Sequence, residues 1–560
     1  MKKTFKFMLA VAAACAVVLS CEKPEVPQDD PKDPTQEQPE TPGEEEEEPA
    51  PEPTLEVSLT ELAFEAAAGE ATFTVTTNQD WAAGTEAAWI TLDPASGAAS
   101  TEAATVKVTA AENTVTEART ATVTVTAGEL TKTITVTQAA AIPQPDGTEA
   151  NPYLVSDAAT LKGMSGLLVA NATTYFKLTA NIDLASAEWT PISTIETVDE
   201  TTVVKAIALD GCNYTISNAK DALFSTLCGS VQNLTVDGAA INASNTVGVI
   251  ANQVKDATIK NVEVKNSSIV STAGEAGGAV GKVSNGTLEN VKVACSVSGT
   301  QQLGVLVGRF EDGKIKNCTA TGEITGTLYY IGGLAGLMIG GSVEGCSADV
   351  NATTASTAYG RIGCFIGQVE GGSISTSHAA GSVTSGGHYG GAFIGVLAKD
   401  NEVNVSKCYA TGSVNLPSGV NKSGGAGFIG AIENNGTFVI SDCYTTANVI
   451  AYRWSGSFIG RALNSSKVTV TNCYSKANCT FTQPANCGML CGDAATPVPI
   501  TVNGFIGWNL NELTLFVRST METAPEGNYF GKEGTISAKA KEFKWDESIW
   551  DLSGDEPKLK

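Results

Sequence analysis

One short phrase, apolar-x-Asn-small, recurs along the chain and constrains the fold more than any other feature. It reads Val231-Gln-Asn233-Leu234, Ile259-Lys-Asn261-Val262, Leu288-Glu-Asn290-Val291 and Ile315-Lys-Asn317-Cys318. It continues with the Asn replaced or kept as Val343-Glu-Gly345-Cys346, Ile374-Ser-Thr376-Ser377, Val405-Ser-Lys407-Cys408, Ile440-Ser-Asp442-Cys443 and Val470-Thr-Asn472-Cys473. From the third occurrence on, an apolar stretch ending in glycine precedes each one, from Gly281 through Gly308, Gly336, Gly367, Gly395, Gly430 and Gly460, with Gly492 beyond the last. The glycine spacings run from 27 to 35 residues. A unit of that length cannot bury an apolar face alone, but stacked copies can. The expectation is a parallel β-solenoid over residues 145–510, right-handed as parallel crossovers are, with nine or ten coils stacked at about 4.8 Å each.

The columns of this alignment say which side chains face inward. The closing position runs Leu234, Val262, Val291, Cys318, Cys346, Ser377, Cys408, Cys443, Cys473, small and mostly apolar. Two residues on, Val236, Val264, Val293, Ala320, Ala348, Ala379, Ala410, Thr445 and Ser475 also read as interior. The apolar residue opening the phrase has the opposite parity, so both columns are buried only if the chain bends between them. Asn tolerates the left-handed conformation that such a bend requires. Cysteines that alternate with Leu, Val and Ser in one inward column are buried thiols rather than bridges. Cys479, Cys487 and Cys491 lie off that column and are open to pairing.

The column between the two interior ones points outward. It runs Thr235, Glu263, Lys292, Thr319, Ser347, His378, Tyr409, Tyr444, Tyr474. Its aromatic end, at the spacing of a pyranose chain, is either a platform for a sugar or peptide or a ladder that shields backbone.

Ile331-Gly-Gly-Leu-Ala-Gly336, Gly341-Ser-Val-Glu-Gly-Cys346 and Cys408-Tyr-Ala-Thr-Gly412 resemble the GLUG repeat, and Gly147-Thr-Glu-Ala-Asn-Pro-Tyr-Leu154 with Glu188-Trp-Thr-Pro191 resembles the usual lead-in to such arrays. The resemblance implies a bacterial surface or secreted protein. Residues 511–560, with Phe530, Phe543, Trp545, Trp550 and Leu552, are expected to cap the open end of the solenoid.

Residues 55–141 read differently. Leu55-Glu-Val57, Ala71-Thr-Phe73-Thr-Val75, Ala104-Thr-Val106-Lys-Val108, Ala121-Thr-Val123-Thr-Val125 and Ile134-Thr-Val136 alternate as half-buried strands. About seven strands in this length argue an immunoglobulin-like β-sandwich, so the whole chain is expected to be all-β. Asn78-Gln-Asp-Trp81, Trp89-Ile-Thr-Leu92, Pro94-Ala-Ser-Gly97, Asn113, Arg119 and Gln138 resemble the BACON domain (Bacteroidetes-associated, carbohydrate-binding, often N-terminal). The resemblance implies sugar binding or a spacer role. Trp81 and Trp89 are then either a sugar platform or, as usual for Trp in a small sandwich, core.

The first residues are an address. Lys2, Lys3 and Lys6 precede the apolar run Met8–Leu19, which is too short to span a bilayer stably. Val18-Leu19-Ser20-Cys21 resembles a bacterial lipobox. That resemblance implies removal of residues 1–20 and lipid on Cys21, hence a membrane anchor, with outer-membrane, cell-surface display as the expected location. Residues 22–53 hold 13 Asp or Glu, 2 Lys and 9 Pro. Nothing there buries apolar area, so residues 21–54 read as a solvated acidic linker.

The charge of −25 opposes nucleic-acid binding. Two histidines, His378 and His388, leave little room for a His-based metal site or triad, and no metal or cofactor site is expected. Gly425-Ala-Gly427-Phe-Ile-Gly430 fits a dinucleotide fingerprint in letters only, since a strand rather than a helix should follow. No acid recurs at one repeat position on adjacent coils, and Glu311, Asp312, Glu370, Asp400 and Glu402 read as solvated turn residues. The expectation is therefore a non-catalytic surface protein binding a glycan or host matrix. A structural spacer of a polysaccharide-utilisation system is the second reading and a solenoid carbohydrase the third.

Overall fold

A computed structural model describes residues 51–357, 360–399, 401–416, 424–463, 466–483, 487–494, 499–508, 514–516 and 527–560. The address, Cys21, almost all of the acidic linker and Asp400 lie outside the described residues. The chain divides into two compact units, residues 1–142 and 143–560.

In the first unit, alternating residues place Phe73, Val75, Val106, Val108, Val123, Val125, Ile134 and Val136 in one buried core. One sheet runs Leu55–Val57, Gly69–Thr77, Ser100–Ala110, Ile90–Asp93. The other runs Glu61–Phe64, Leu130–Gln138, Arg119–Ala127, Trp81–Gly84, Ser96–Gly97. This is the expected sandwich. The polar residues that marked the segment tie its loops together. The Gln138 amide donates to Ala66 O, Ala67 O and Ala111 O, while Arg119 Nε donates to Gln138 Oε1 at 2.9 Å. Asn113 Nδ2 donates to Glu117 O and Ala139 O.

The second unit is a β-solenoid of about 11 turns. Successive coils pair in parallel, and the registers follow the sequence columns. Thr319 pairs with Ser347, Ser347 with His378, His378 with Tyr409, Tyr409 with Tyr444 and Tyr444 with Tyr474. Cys318, Cys346, Cys408, Cys443 and Cys473 are all fully buried. A second interior file stacks Phe365, Phe393, Phe428 and Phe458, with ring centroids 4.6 to 4.9 Å apart. The glycine-rich stretch 424–432 forms two short strands of one coil, with no helix after it.

The bend between the interior columns is left-handed at every repeat: φ is +52° at Asn233, +53° at Asn261, +52° at Asn317, +51° at Thr376, +53° at Lys407 and +54° at Asp442. The amides also hydrogen-bond along the axis. Asn290 Nδ2 donates to Asn261 Oδ1 at 3.0 Å, Asn261 to Asn233 at 3.1 Å, and Asn233 to Asp210 Oδ1 at 3.1 Å. An amide ladder pointing one way needs a pure acceptor at its end, and Asp supplies it. Asp183 receives Asn218, Asp237 receives Asn266 and Asp256 receives Asn285 in the same manner.

The ends were only partly foreseen. The helix α1, Ala158–Leu167, buries Leu161 and Met164 against the first coils, capped by Asp157, whose side chain accepts from Thr160 N. The parallel strands continue past residue 510, to Thr514–Phe516 and Tyr529–Gly531. The aromatic tail, expected over the open end, lies instead along a flank. It carries α2, Ile536–Glu542. The cysteines left open to pairing sit on further interior files. Cys479 is level with Val449, and the thiols of Cys487 and Cys491 are free.

Two outcomes follow. Thr376 is exposed and β-branched at a left-handed φ, a conformation that costs an L-residue about 1 to 2 kcal/mol. Thr376→Asn should therefore raise the denaturation midpoint, by a stabilisation of about 1 kcal/mol, in urea melts. Asp210 is held below the ordinary carboxylate range: burial opposes this, but Cys212 N–H, Asn233 and Gln232 together outweigh it. A depressed folded pKa contributes stability above the unfolded value of 3.8 and loses it as pH falls through the folded one. Melting temperature should thus drop below about pH 4, and Asp210→Asn should flatten that acid limb.

Candidate functional site

Two flanks of the solenoid gather the candidate side chains. The first is the outward aromatic file. His378 and Tyr409 stack at 4.8 Å and 4°, Tyr409 and Tyr444 at 4.8 Å and 6°, Tyr444 and Tyr474 at 4.8 Å and 4°. Parallel pairing forces this geometry, and it spends the ring faces on one another. Both faces of Tyr409 are taken, so only ring edges look outward. The C-terminal tail covers the far end. Trp550 lies 6.1 Å from both Tyr444 and Tyr474, and its Nε1 donates to Asp442 Oδ1 at 3.3 Å. Tyr474 O–H donates to Pro557 O at 3.0 Å, and Trp545 Nε1 donates to Gly504 O at 3.1 Å. Tyr474 is 1% exposed. Burial pushes the Tyr444 and Tyr474 phenols far above their usual range and holds the half-buried His378 imidazole below its own.

Of the two readings open for Tyr409, Tyr444 and Tyr474, this geometry is that of the ladder. The file is as regular as expected, but an aromatic-rich tail needs apolar surface and finds it there. The two tryptophans of the first unit take the core position of their two readings. Trp81 is 4% exposed, packed so tightly that a Cβ on Gly97 would sit 2.6 Å from its indole nitrogen. Trp89 packs against the same core, with the Arg119 guanidinium 4.5 Å over its ring.

The second flank was not foreseen. A Cβ on Gly336 would lie 2.5 Å from Leu303 N and 2.6 Å from Tyr330 O, and one on Gly395 would lie 2.6 Å from Ile362 N. At each repeat glycine, therefore, two arms of the coil meet backbone to backbone, and a re-entrant seam runs along the axis. One wall carries the residue six before the glycine: Glu275, Gln302, Tyr330, Arg361, Tyr389 and Trp454. The other carries the residue after it, including Arg309, Gln368, Val396, Ala431 and Arg461.

Side chains cross this seam repeatedly. Arg361 pairs with Glu433 at 3.0 Å, hydrogen-bonds Gln368, and lies 5.6 Å over the Tyr330 ring. Gln368 Nε2 donates to Glu370 Oε1 at 2.7 Å. Tyr389 packs over the fully buried Val396 and Ala431, and burial together with the Glu433 charge pushes its phenol up to about 12. Arg453 and Arg461 lie over the Trp454 ring, 3.8 and 4.6 Å from its centroid, and Arg461 pairs with Asp493 at 2.8 Å. Further along, Glu311 binds Lys282, Arg309 and Ser284. Glu311 and Glu370 are therefore seam residues, not merely solvated turn residues. The signal was in the sequence. Glu311, Glu370 and Glu433 all stand three residues after a repeat glycine, on alternate coils. Among the described residues no group of three or more His, Cys, Asp or Glu is placed to hold a metal ion.

This geometry, an aromatic wall facing guanidinium and carboxylate pairs, stands in a chain with known relatives. The family described as "Putative binding domain, N-terminal" (BACON) matches residues 79–139, and the GLUG motif matches residues 299–325. The chain carries a BACON domain followed by a GLUG motif. Among curated proteins it is 28% identical to halomucin of Haloquadratum walsbyi over 234 residues, 36% of this chain and 2% of that protein. It is 28% identical to the immunoglobulin A1 protease of Streptococcus sanguinis over 191 residues, 32% of this chain and 9% of that protein. The chain thus aligns with only a small part of the curated relatives it matches. Among solved structures, a "putative immunoglobulin A1 protease" from Bacteroides ovatus aligns at 18% identity and a TM-score of 0.29, covering 74% of this chain and 94% of that one. An IgA1 protease aligns at 14% and 0.29, covering 85% and 29%.

Trp550 is fully buried and joins two rungs of the aromatic file. Trp550→Ala should lower stability by about 3 to 5 kcal/mol and release the tail, read as faster proteolysis after residue 531.

Proposed function

We propose that the protein is a non-catalytic glycan-binding protein of the cell surface, whose ligand lies in the glycine seam. One observation carries this reading: half-buried aromatic rings and cross-seam guanidinium–carboxylate pairs share one groove that runs along the coils. Sugars are held by such a combination, rings for their C–H faces and fixed ionic or amide groups for their hydroxyls. The carboxylates support binding over cleavage. Glu433 is held by Arg361, Asp493 by Arg461 and Glu311 by Lys282 and Arg309. A hydrolytic pair needs one acid kept protonated and one free base, and each of these carboxylates is taken up by a salt bridge instead. The BACON match, described as a binding domain, points the same way.

Lipid on Cys21 would hold the chain at the outer membrane, and the acidic linker, up to about 100 Å long at roughly 3.1 Å per residue, would carry it clear of the surface. The supporting residues are the basic start, the short apolar run and Val18-Leu19-Ser20-Cys21.

Affinity electrophoresis against a panel of neutral and acidic polysaccharides tests the binding. Wild-type protein should be retarded by at least one of them without releasing reducing ends. Trp454→Ala should weaken that retardation about tenfold or more. Release of reducing ends would replace the proposal with a carbohydrase. Separately, Cys21→Ser should move the protein from the detergent phase to the aqueous phase of cell extracts. Unchanged partitioning would remove the anchor.

A further inference from the structure

Among the described residues, Gln302 Oε1, Arg309 Nε and Trp454 Nε1 are buried polar atoms without a hydrogen-bond partner, and all three lie on the seam. Leaving such an atom unpaired is costly, so their concentration in one groove asks for a cause outside the fold. Gln302 and Arg309 flank the same glycine. A Cβ on Gly308 would lie 2.8 Å from Gln302 O, so the two arms touch there. Arg309 also reaches across the seam, its Nη1 3.8 Å from Glu275 on the opposite wall. Among the described residues, Gln302 Oε1 lacks a donor and Arg309 Nε lacks an acceptor. A hydroxyl is the small group that supplies both at once. Trp454 offers an N–H from a ring already braced by two guanidinium groups.

The positions between these ends are set by register. Counting along the wall from Gln302 through Tyr330, Arg361, Tyr389 and Gly424 to Trp454 gives five coil steps, about 24 Å at roughly 4.8 Å each. Each step is close to the advance of one pyranose in an extended chain. The groove is also nearly neutral. Lys282 and Arg309 are answered by Glu311 and Glu275, Arg361 by Glu433, Arg461 by Asp493. A polyanion would meet no surplus of positive charge.

Resting on the glycan reading above, we propose that the seam takes an extended, uncharged glycan of about five or more sugars, laid along the solenoid axis. It bridges a hydroxyl-binding end at Gln302 and Arg309 and an aromatic end at Trp454. Tyr330, Arg361 and Tyr389 meet the units between.

Titration calorimetry on the full chain tests this, with cello-, xylo- and manno-oligosaccharides of two to eight sugars and polygalacturonate as a charged probe. In the series that binds, affinity should climb to about five or six sugars, about a hundredfold over the disaccharide, a gain on the scale of two such contacts. It should hold nearly constant from about 50 to 500 mM salt. Gln302→Leu and Trp454→Ala should each cost about tenfold on the hexasaccharide, and the double variant should bind it no better than a disaccharide. Trp454→Phe, which keeps a ring without the N–H, should recover part of the loss. The length series needs no variant, so it decides the matter even where a substitution unfolds the chain. A disaccharide bound as tightly as the hexasaccharide would overturn the extended ligand and leave the glycan reading standing. Preference for polygalacturonate, lost in salt, would overturn its neutrality. No binding to any probe, here or to the polysaccharide panel, would overturn both.

Discussion

A left-handed residue between two buried columns is the constraint on which the solenoid rests. An ordinary strand sends neighbouring side chains to opposite faces, so Ile315 and Cys318 could not both point inward along one straight run. The bend at Asn317, with φ of +52°, turns the chain so that both do. Every coil must make this turn at the same height, otherwise the parallel registers fail. That is why the position returns Asn, Asp or Gly so often. Where Thr376 or Lys407 stands instead, neighbours on both sides hold the geometry through the ladder of strands.

The bend has a second consequence, in the column that closes the phrase. The turn strands the carbonyl two residues earlier, and the closing side chain caps it. Cys318 Sγ donates to Lys316 O at 3.2 Å, Cys408 to Ser406 O at 3.1 Å, Cys443 to Ser441 O at 3.1 Å, and Ser377 Oγ to Ser375 O at 2.7 Å. The same atoms accept from the coil before: Cys318 N–H donates to Cys346 Sγ and Cys346 N–H to Ser377 Oγ. A thiol is apolar enough for a dry core yet can donate and accept. Cysteine in this column is therefore more than small filler. Burial, reinforced by neighbouring thiols, raises the Cys443 thiol well above its usual range, which keeps it protonated for its role as donor.

What was legible in the sequence followed from periodicity. Columns, registers, the left-handed bend and the buried thiols all repeat with the coil, so aligning the copies exposed them. What was not legible depends on contacts between copies at different offsets, or between the array and a segment outside it. Arg361 reaches Glu433 two coils away, and no alignment of single repeats shows that pair. The outward direction of Tyr474 was correctly read, but nothing in its own coil announces that Trp545 and Trp550, some 70 residues on, will cover it. The helix α1 escaped for a related reason. It is one short element outside the repeats, marked only by Asp157 and by Leu161 and Met164 on one face.

The two flanks divide labour because parallel stacking treats their aromatic side chains differently. Where rings occupy the same position on consecutive coils, as at His378, Tyr409, Tyr444 and Tyr474, they consume one another's faces and leave an edge-on strip. A strip of edges suits a protein segment that brings its own rings, and the tail does so with Trp545 and Trp550. On the seam the wall interrupts its aromatics, with Arg361 between Tyr330 and Tyr389 and Gly424 between Tyr389 and Trp454. No ring there can spend both faces on its neighbours in the file. Guanidinium groups take their place, and Trp454 and Tyr330 are held by charge rather than by stacking. Regular spacing thus makes the first flank a structural seat, and irregular spacing leaves the second with rings that do not stack on one another.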